Sequence, residues 1–147
     1  MPTRIAFRSA MRAAAVTMFN DFKADRGLVL QIYPGRPRTI AAPTVFVDRI
    51  SERLTEYTLS TRQRVPVVEV VVLHGLFDSK DAVEQGDEFV DGFLDWIADN
   101  YHAAGANTLI SAVATEDDPE FVPTWQPPEV QRTYYATRIS LEGFAST

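Results

Sequence analysis

Apolar residues recur at spacings of three and four along residues 4–25. Phe7, Met11, Ala14, Met18 and Phe22 share one stripe, which predicts a helix with a single buried face. Gly27 follows Arg26 as a stop signal. LVLQIY, 28–33, predicts a short strand, and three prolines in residues 34–43 then break regular structure. Residues 44–58 alternate and predict a long strand. Val45 and Val47 lie on one side, and Phe46, Asp48, Ile50, Glu52 and Leu54 on the other. The polar stretch 60–64 predicts a hairpin tip, and VPVVEVVVLHG, 65–75, the returning strand. Its apolar run points to a central strand covered on both faces, with Pro66 near a strand start or edge.

Downstream, Asp78 or Ser79 can cap a second helix, and Asp81 and Glu84 place negative charge at its positive end. Val83, Gly86, Val90, Phe93, Ile97 and Tyr101 form its predicted stripe, and Gly105 ends it. TLISAVAT, 108–115, predicts a strand. EDDPEFVPTWQPPEV, 116–130, contains four prolines and predicts a long loop. YYATRISLEG, 134–143, predicts a closing strand. Tyr135, Thr137, Ile139 and Leu141 face one way, and Tyr134, Arg138 and Glu142 the other. The order predicts one α/β (α+β) domain spanning 1–147. Two main helices flank a mixed, largely antiparallel sheet that includes a long β-hairpin.

Composition narrows the function classes. A 147-residue chain that is 46% hydrophobic and 23% charged has the balance of a globular domain. It has no cysteine, which excludes disulfides, thiolate metal sites and a cysteine nucleophile. A net charge of -6 argues against a large nucleic-acid footprint. No apolar run approaches the roughly 20 residues of a membrane span, so no membrane role is expected. Arg4, Arg8 and Arg12, with no acid before Asp21, resemble a mitochondrial transit peptide. The regular stripe running on into acidic residues favours a folded helix instead.

Three features bear on chemistry. His74 ends a strand in a His-Gly pair, and Asp78 and Asp81 lie shortly after it. A small hydrolase using His74 with Asp78 or Asp81 is therefore an alternative. The chain has no G-x-S-x-G nucleophile elbow to complete it, and with only two histidines it has no His-rich zinc site. The second feature is an acidic ladder: Asp87, Asp91, Asp95 and Asp99 lie four apart on one helix face. Each neighbouring pair costs about 0.2–0.5 kcal/mol, so the face is solvated, docked on a basic surface or, at a spacing poorly suited to it, bound to a divalent cation. Arg4, Arg8 and Arg12 offer such a surface at the same spacing. The third is the proline-rich loop, where Phe121 and Trp125 either anchor a partner or fold back over the sheet. Arg62 and Arg64 near the hairpin tip are further interface candidates. No Walker or dinucleotide glycine pattern occurs, and no cofactor is expected.

The sequence of an Arg-rich amphipathic helix, PGRP, TVFVDR, RLTEYTLSTRQRVPVVEVVVLHG, the acidic DEFVDGFLDWI and a terminal YYATRISLEG resembles the tail terminator proteins of long-tailed bacteriophages. Head-tail connector (neck) proteins share the general fold. The resemblance covers nearly the whole chain and rests on element order and strand texture. It implies a structural virion protein without enzymatic activity, assembled as a homo-oligomeric, hexameric ring. The implied ring caps the tail, stops polymerisation of the major tail tube protein and receives the head-tail connector or stopper protein. DNA passes through its channel without specific binding. The implied location is the head-proximal end of the tail in the virion, and the host cytoplasm during assembly.

Overall fold

A computed structural model describes residues 4–41, 43–57, 62–100 and 112–143, with side chains described for 8–41, 43–52, 65–100 and 112–143. The elements in chain order are α1 (Arg4–Arg26), β1 (Gln31–Tyr33), β2 (Thr44–Tyr57), β3 (Arg62–Leu76), α2 (Ala82–Asn100), β4 (Ala112–Phe121) and β5 (Tyr134–Glu142). The strands form one sheet in the order β1-β2-β3-β5-β4. β1 runs parallel to β2, and every other pairing is antiparallel. The architecture is thus α+β, as the pattern of elements predicts.

Both helices pack on one face of the sheet. α1 contacts β1, β2 and β3, and α2 contacts β3 and β5. Met11, Ala15, Met18, Phe19 and Phe22 of α1 meet Val45, Val47, Val68, Val70 and Val72 of the sheet in the main core. Between the helices, Phe19 stacks on Phe93 with ring centroids 4.9 Å apart, and Phe22 meets Phe93 edge-on at 5.4 Å. Such pairs add to the burial of apolar area. Trp96 extends the contact and donates its Nε1 hydrogen to Asp25 Oδ2 at 2.8 Å. α1 ends where Gly27 takes φ +62°. Leu28 N donates to Lys23 O and Gly27 N to Ala24 O, the paired bonds of a Schellman motif.

The structure departs from the sequence expectations in several places. β1 is shorter than 28–33, because Leu28 is committed to closing α1. In β2 the register shifts between Val47 and Arg49, so Asp48 is a bulge residue. Ile50 therefore joins Val45 and Val47 on the helix face instead of Phe46 and Asp48 on the other. α2 begins at Ala82, and its first backbone bond runs from Gln85 N to the Asp81 carbonyl. Asp81 therefore occupies the cap position, in place of Asp78 or Ser79. Val83 is exposed, while Ala82 and Trp96 are buried; Tyr101 and Gly105 lie outside the described residues.

The largest difference is β4. It runs through residues 116–121, which the prolines marked as loop. β4 is an edge strand exposed along most of both faces, so burial imposes no alternation on it. Pro119 sits at a register shift between Asp118 and Phe121, where an edge strand tolerates it. Pro66 is accommodated differently. Its carbonyl accepts from Gly143 N, so its missing N–H faces the β5 side, just past the last paired residue, Glu142. β2 and β3 pair from Thr44↔Leu73 to Tyr57↔Arg62. Residues 58–61 between them lie outside the described residues, and Arg62 and Arg64 belong to β3.

Candidate functional site

On the helix face, a polar cluster forms where β3 ends. The register shift between Leu73 and Gly75 makes His74 a bulge residue. It is 4% exposed, and its Nε2 lies 2.8 Å from Thr137 Oγ1. Thr137 in turn donates to Asp117 Oδ1 at 3.4 Å. The Thr137 hydroxyl has one hydrogen, and a carboxylate can only accept it. His74 Nε2 must therefore donate to Thr137, which leaves Nδ1 of the neutral ring as an acceptor. Burial lowers the His74 pKa to about 4, against the pull of Asp117. Tyr135 beside it is raised, by burial first and by Asp117 and Asp87 next.

This packing depends on Gly86 of α2. A Cβ there would meet His74 Cδ2 at 2.9 Å and Tyr135 Cε1 at 3.0 Å. The glycine lets the helix approach the sheet over the imidazole. Phe89, one turn on, meets the ring edge-on at 5.7 Å. Beside His74 opens a cavity of about 480 Å³ lined by Phe22, Leu28, Pro43, Phe89 and Gly92, with Arg26 and Glu88 among its polar residues. The carboxylate that acts on His74 is thus Asp117 of β4. Asp78 and Asp81 are exposed on the connection to α2, and neither is joined to His74.

The outer face of the sheet carries a second cluster. Asp48 binds Arg36 Nε at 3.0 Å and lies 3.8 Å from Arg138 Nη1, while Arg138 Nε lies 3.4 Å from Asp118. The cations cover aromatic rings: Arg36 lies 5.1 Å over Trp125 and Arg138 5.4 Å over Phe121. Trp125 packs edge-on against Phe46 at 5.3 Å and donates its Nε1 hydrogen to the Pro37 carbonyl at 2.9 Å. Gln126 donates to the Pro37 and Arg38 carbonyls. Phe121 and Trp125 therefore fold back over their own sheet, and they fasten residues 122–131 to residues 34–38.

Of the charge ladders, Asp87 reaches the first cluster, where after burial and Asp117 its charge helps raise the Tyr135 pKa. Asp87, Asp91, Asp95 and Asp99 are exposed on the side of α2 opposite its buried residues. Arg8 is exposed, and Arg12 donates from Nη1 to the Pro34 carbonyl at 2.7 Å, beside β1. Among the described residues, no ion pair joins Arg8 or Arg12 to the aspartates. The side chains of Arg4, Arg62 and Arg64 lie outside those described.

Sequence reasoning did not single out Asp117, Thr137, Gly86, Arg36, Asp48 or Arg138 as site residues. Thr137 carried a usable signal, as a polar residue on the otherwise apolar face of the closing strand. Among the described residues, no three His, Asp or Glu side chains gather to hold a metal, and no helix is long and apolar enough to cross a membrane. The chain matches no protein-family model and no curated protein sequence.

Proposed function

We infer that the protein is a structural subunit of a phage tail, closing head to tail into a hexameric ring that terminates the tube. The observation that carries this reading is the separation of charge along the sheet order. α2 bears Glu84, Asp87, Glu88, Asp91, Asp95 and Asp99 with no lysine or arginine. β4, at the far edge, adds Glu116, Asp117, Asp118 and Glu120. The opposite edge carries Arg4, Arg8 and Arg12 on α1 and Arg36 and Arg38 after β1. A patch that fits a different patch on the next copy generates a ring when the rotation closes. Opposite edges of opposite sign supply such a pair.

The resemblance to tail terminators supplies the rest of the reading. The ring would sit on the major tail tube protein, receive the connector or stopper and pass DNA through its channel, in the virion and earlier in the host cytoplasm. A negative channel lining would let DNA slide without gripping it. The neck-protein reading shares this assembly and differs only in the partners. The hydrolase reading has less support: His74 is bonded to Thr137, and Asp78 and Asp81 are exposed on the connection to α2.

Charge reversal tests the head-to-tail contact. Asp91→Lys with Asp95→Lys is expected to shift light-scattering mass toward the monomer at low salt. Adding Arg8→Glu and Arg12→Glu to the same chain is expected to restore part of the assembly. Reversed chains that assemble like the unaltered protein at low salt would reject the charged contact.

A further inference from the structure

Every exposed large apolar side chain among the described residues lies at one end of the molecule: Val29, Leu76, Phe77, Val83, Val122 and Val130. The strand registers place them together. β1 begins at Gln31, opposite the start of β2 at Thr44, and Thr44 pairs with Leu73 near the end of β3. Leu76 and Phe121 both pair with Tyr134 at the start of β5. The cavity beside His74 opens among the helix residues of this same end. At about 480 Å³ it falls within the range of pockets that hold a ligand group. Its lining is apolar, apart from polar groups that include Arg26, Gln85 and Glu88.

One lining residue, His74, has a ring nitrogen with no partner among the described residues. His74 donates through Nε2, and its only hydrogen bond among the described residues is to Thr137. No fully buried side-chain nitrogen or oxygen is without a partner among the described residues, so Nδ1 is reached from outside. The space that His74 borders is the cavity. An apolar pocket with a lone acceptor in its wall suits an aromatic ring that carries an N–H or O–H. Acidic side chains outnumber basic ones nearby: Asp78, Asp81, Glu84 and Glu88 on one connection and the first turns of α2, against Lys80 there and Arg26 in the cavity lining.

We propose that this end is a docking site for a segment of another protein bearing a tryptophan or tyrosine flanked by lysine or arginine. Its ring seats in the cavity and donates its hydrogen to His74 Nδ1. Exposed apolar residues at the same end of the sheet cover the segment's backbone, and the carboxylates meet its cations. A Trp or Tyr anchor in a desolvated pocket is the usual form of such a contact. The site shares Glu84 and Glu88 with the acidic side of α2, but its cavity lies at an end of the sheet, so peptide binding is tested apart from ring formation.

The test uses the full chain labelled with ¹⁵N and the peptide acetyl-Lys-Trp-Lys-amide. Saturable shifts are expected at the His74 Nδ1 resonance, assigned by comparison with His74→Gln, and at the Phe89 and Gly92 amides. The leucine peptide Lys-Leu-Lys lacks the donor and is expected to bind roughly tenfold more weakly or worse. Glu-Trp-Glu is expected to bind more weakly than the lysine peptide. Gly92→Leu fills the cavity and is expected to abolish binding, while Gly92→Ala keeps it. No saturable shift, equal binding of the leucine or glutamate peptide, or binding that persists in folded Gly92→Leu would overturn the proposal. Free indole binding as tightly as the peptide would do so as well, by making this a small-molecule pocket. The peptide comparison is made on the unaltered chain, so it decides even where a variant does not fold.

Discussion

His74 is held in its neutral form by burial between a strand bulge and a helix, with a threonine accepting its hydrogen. Its pKa is about 4 in the folded protein against an ordinary 6.5. The unfolded chain therefore binds a proton first as pH falls. The associated stability is complete above pH 6.5 and drains away between about 6.5 and 4, by on the order of 3 kcal/mol. Urea midpoints measured across that window should fall for the unaltered chain and fall less for His74→Asn. Gly86 makes the same packing possible, and two glycines one to two turns apart should respond oppositely to alanine. Gly86→Ala drives a Cβ into His74 and Tyr135 and should cost about 1–3 kcal/mol. At Gly92 a Cβ meets only Phe22 Cζ, at 4.0 Å, so Gly92→Ala should gain about 0.5–1 kcal/mol from helix propensity. Urea denaturation of both variants checks the signs. Similar losses at the two positions would contradict the close approach of α2 to β3.

At the scale of elements, the two faces of the sheet are covered by different means. The helices cover one face with aromatic side chains, and two irregular segments cover the other through Trp125. Trp125→Phe retains a ring against Phe46 and loses the bond to the Pro37 carbonyl. It should cost about 1 kcal/mol and speed amide hydrogen exchange in residues 34–38 and 122–131, leaving α1 protected. Exchange unchanged in both segments would mean that the indole bond does not fasten them. The helices and β5 were legible in the sequence because one-sided burial writes a period into it. Gly27 was legible because its positive φ needs glycine. The bulges at Asp48 and His74 were not, since one extra residue leaves composition unchanged and only reverses the facing of the residues beyond it. β4 was hidden because an exposed edge strand carries no alternation, and its proline suggested a break. The His74–Thr137–Asp117 chain joins residues 63 and 20 positions apart on three strands, so no local spacing announced it. The four exposed aspartates of α2 were found by spacing alone, and Trp125 and Phe121 by their setting among prolines. Whether those two rings turned inward was decided by Arg36, Arg138 and the Pro37 carbonyl, which are remote in sequence.

At the scale of the molecule, charge and apolarity are distributed along two different directions. The acidic helix and edge strand oppose an arginine-bearing edge across the sheet order. The exposed apolar residues gather at one end of the strands. The first direction suits contacts between copies around a ring, and the second suits a partner stacked on it. Contacts of opposite charge at exposed sites weaken within a Debye length of about 8–10 Å as salt approaches physiological strength, so assembly should be strongest at low ionic strength. Native mass spectrometry of the full chain from a low-salt volatile buffer, over a series of protein concentrations, measures this directly. A charge-closed ring predicts a dominant species at six times the 16.4 kDa protomer mass, losing ground to the monomer as salt is raised. A chain that stays monomeric at every concentration and salt, or one that forms only a symmetric dimer, would contradict it.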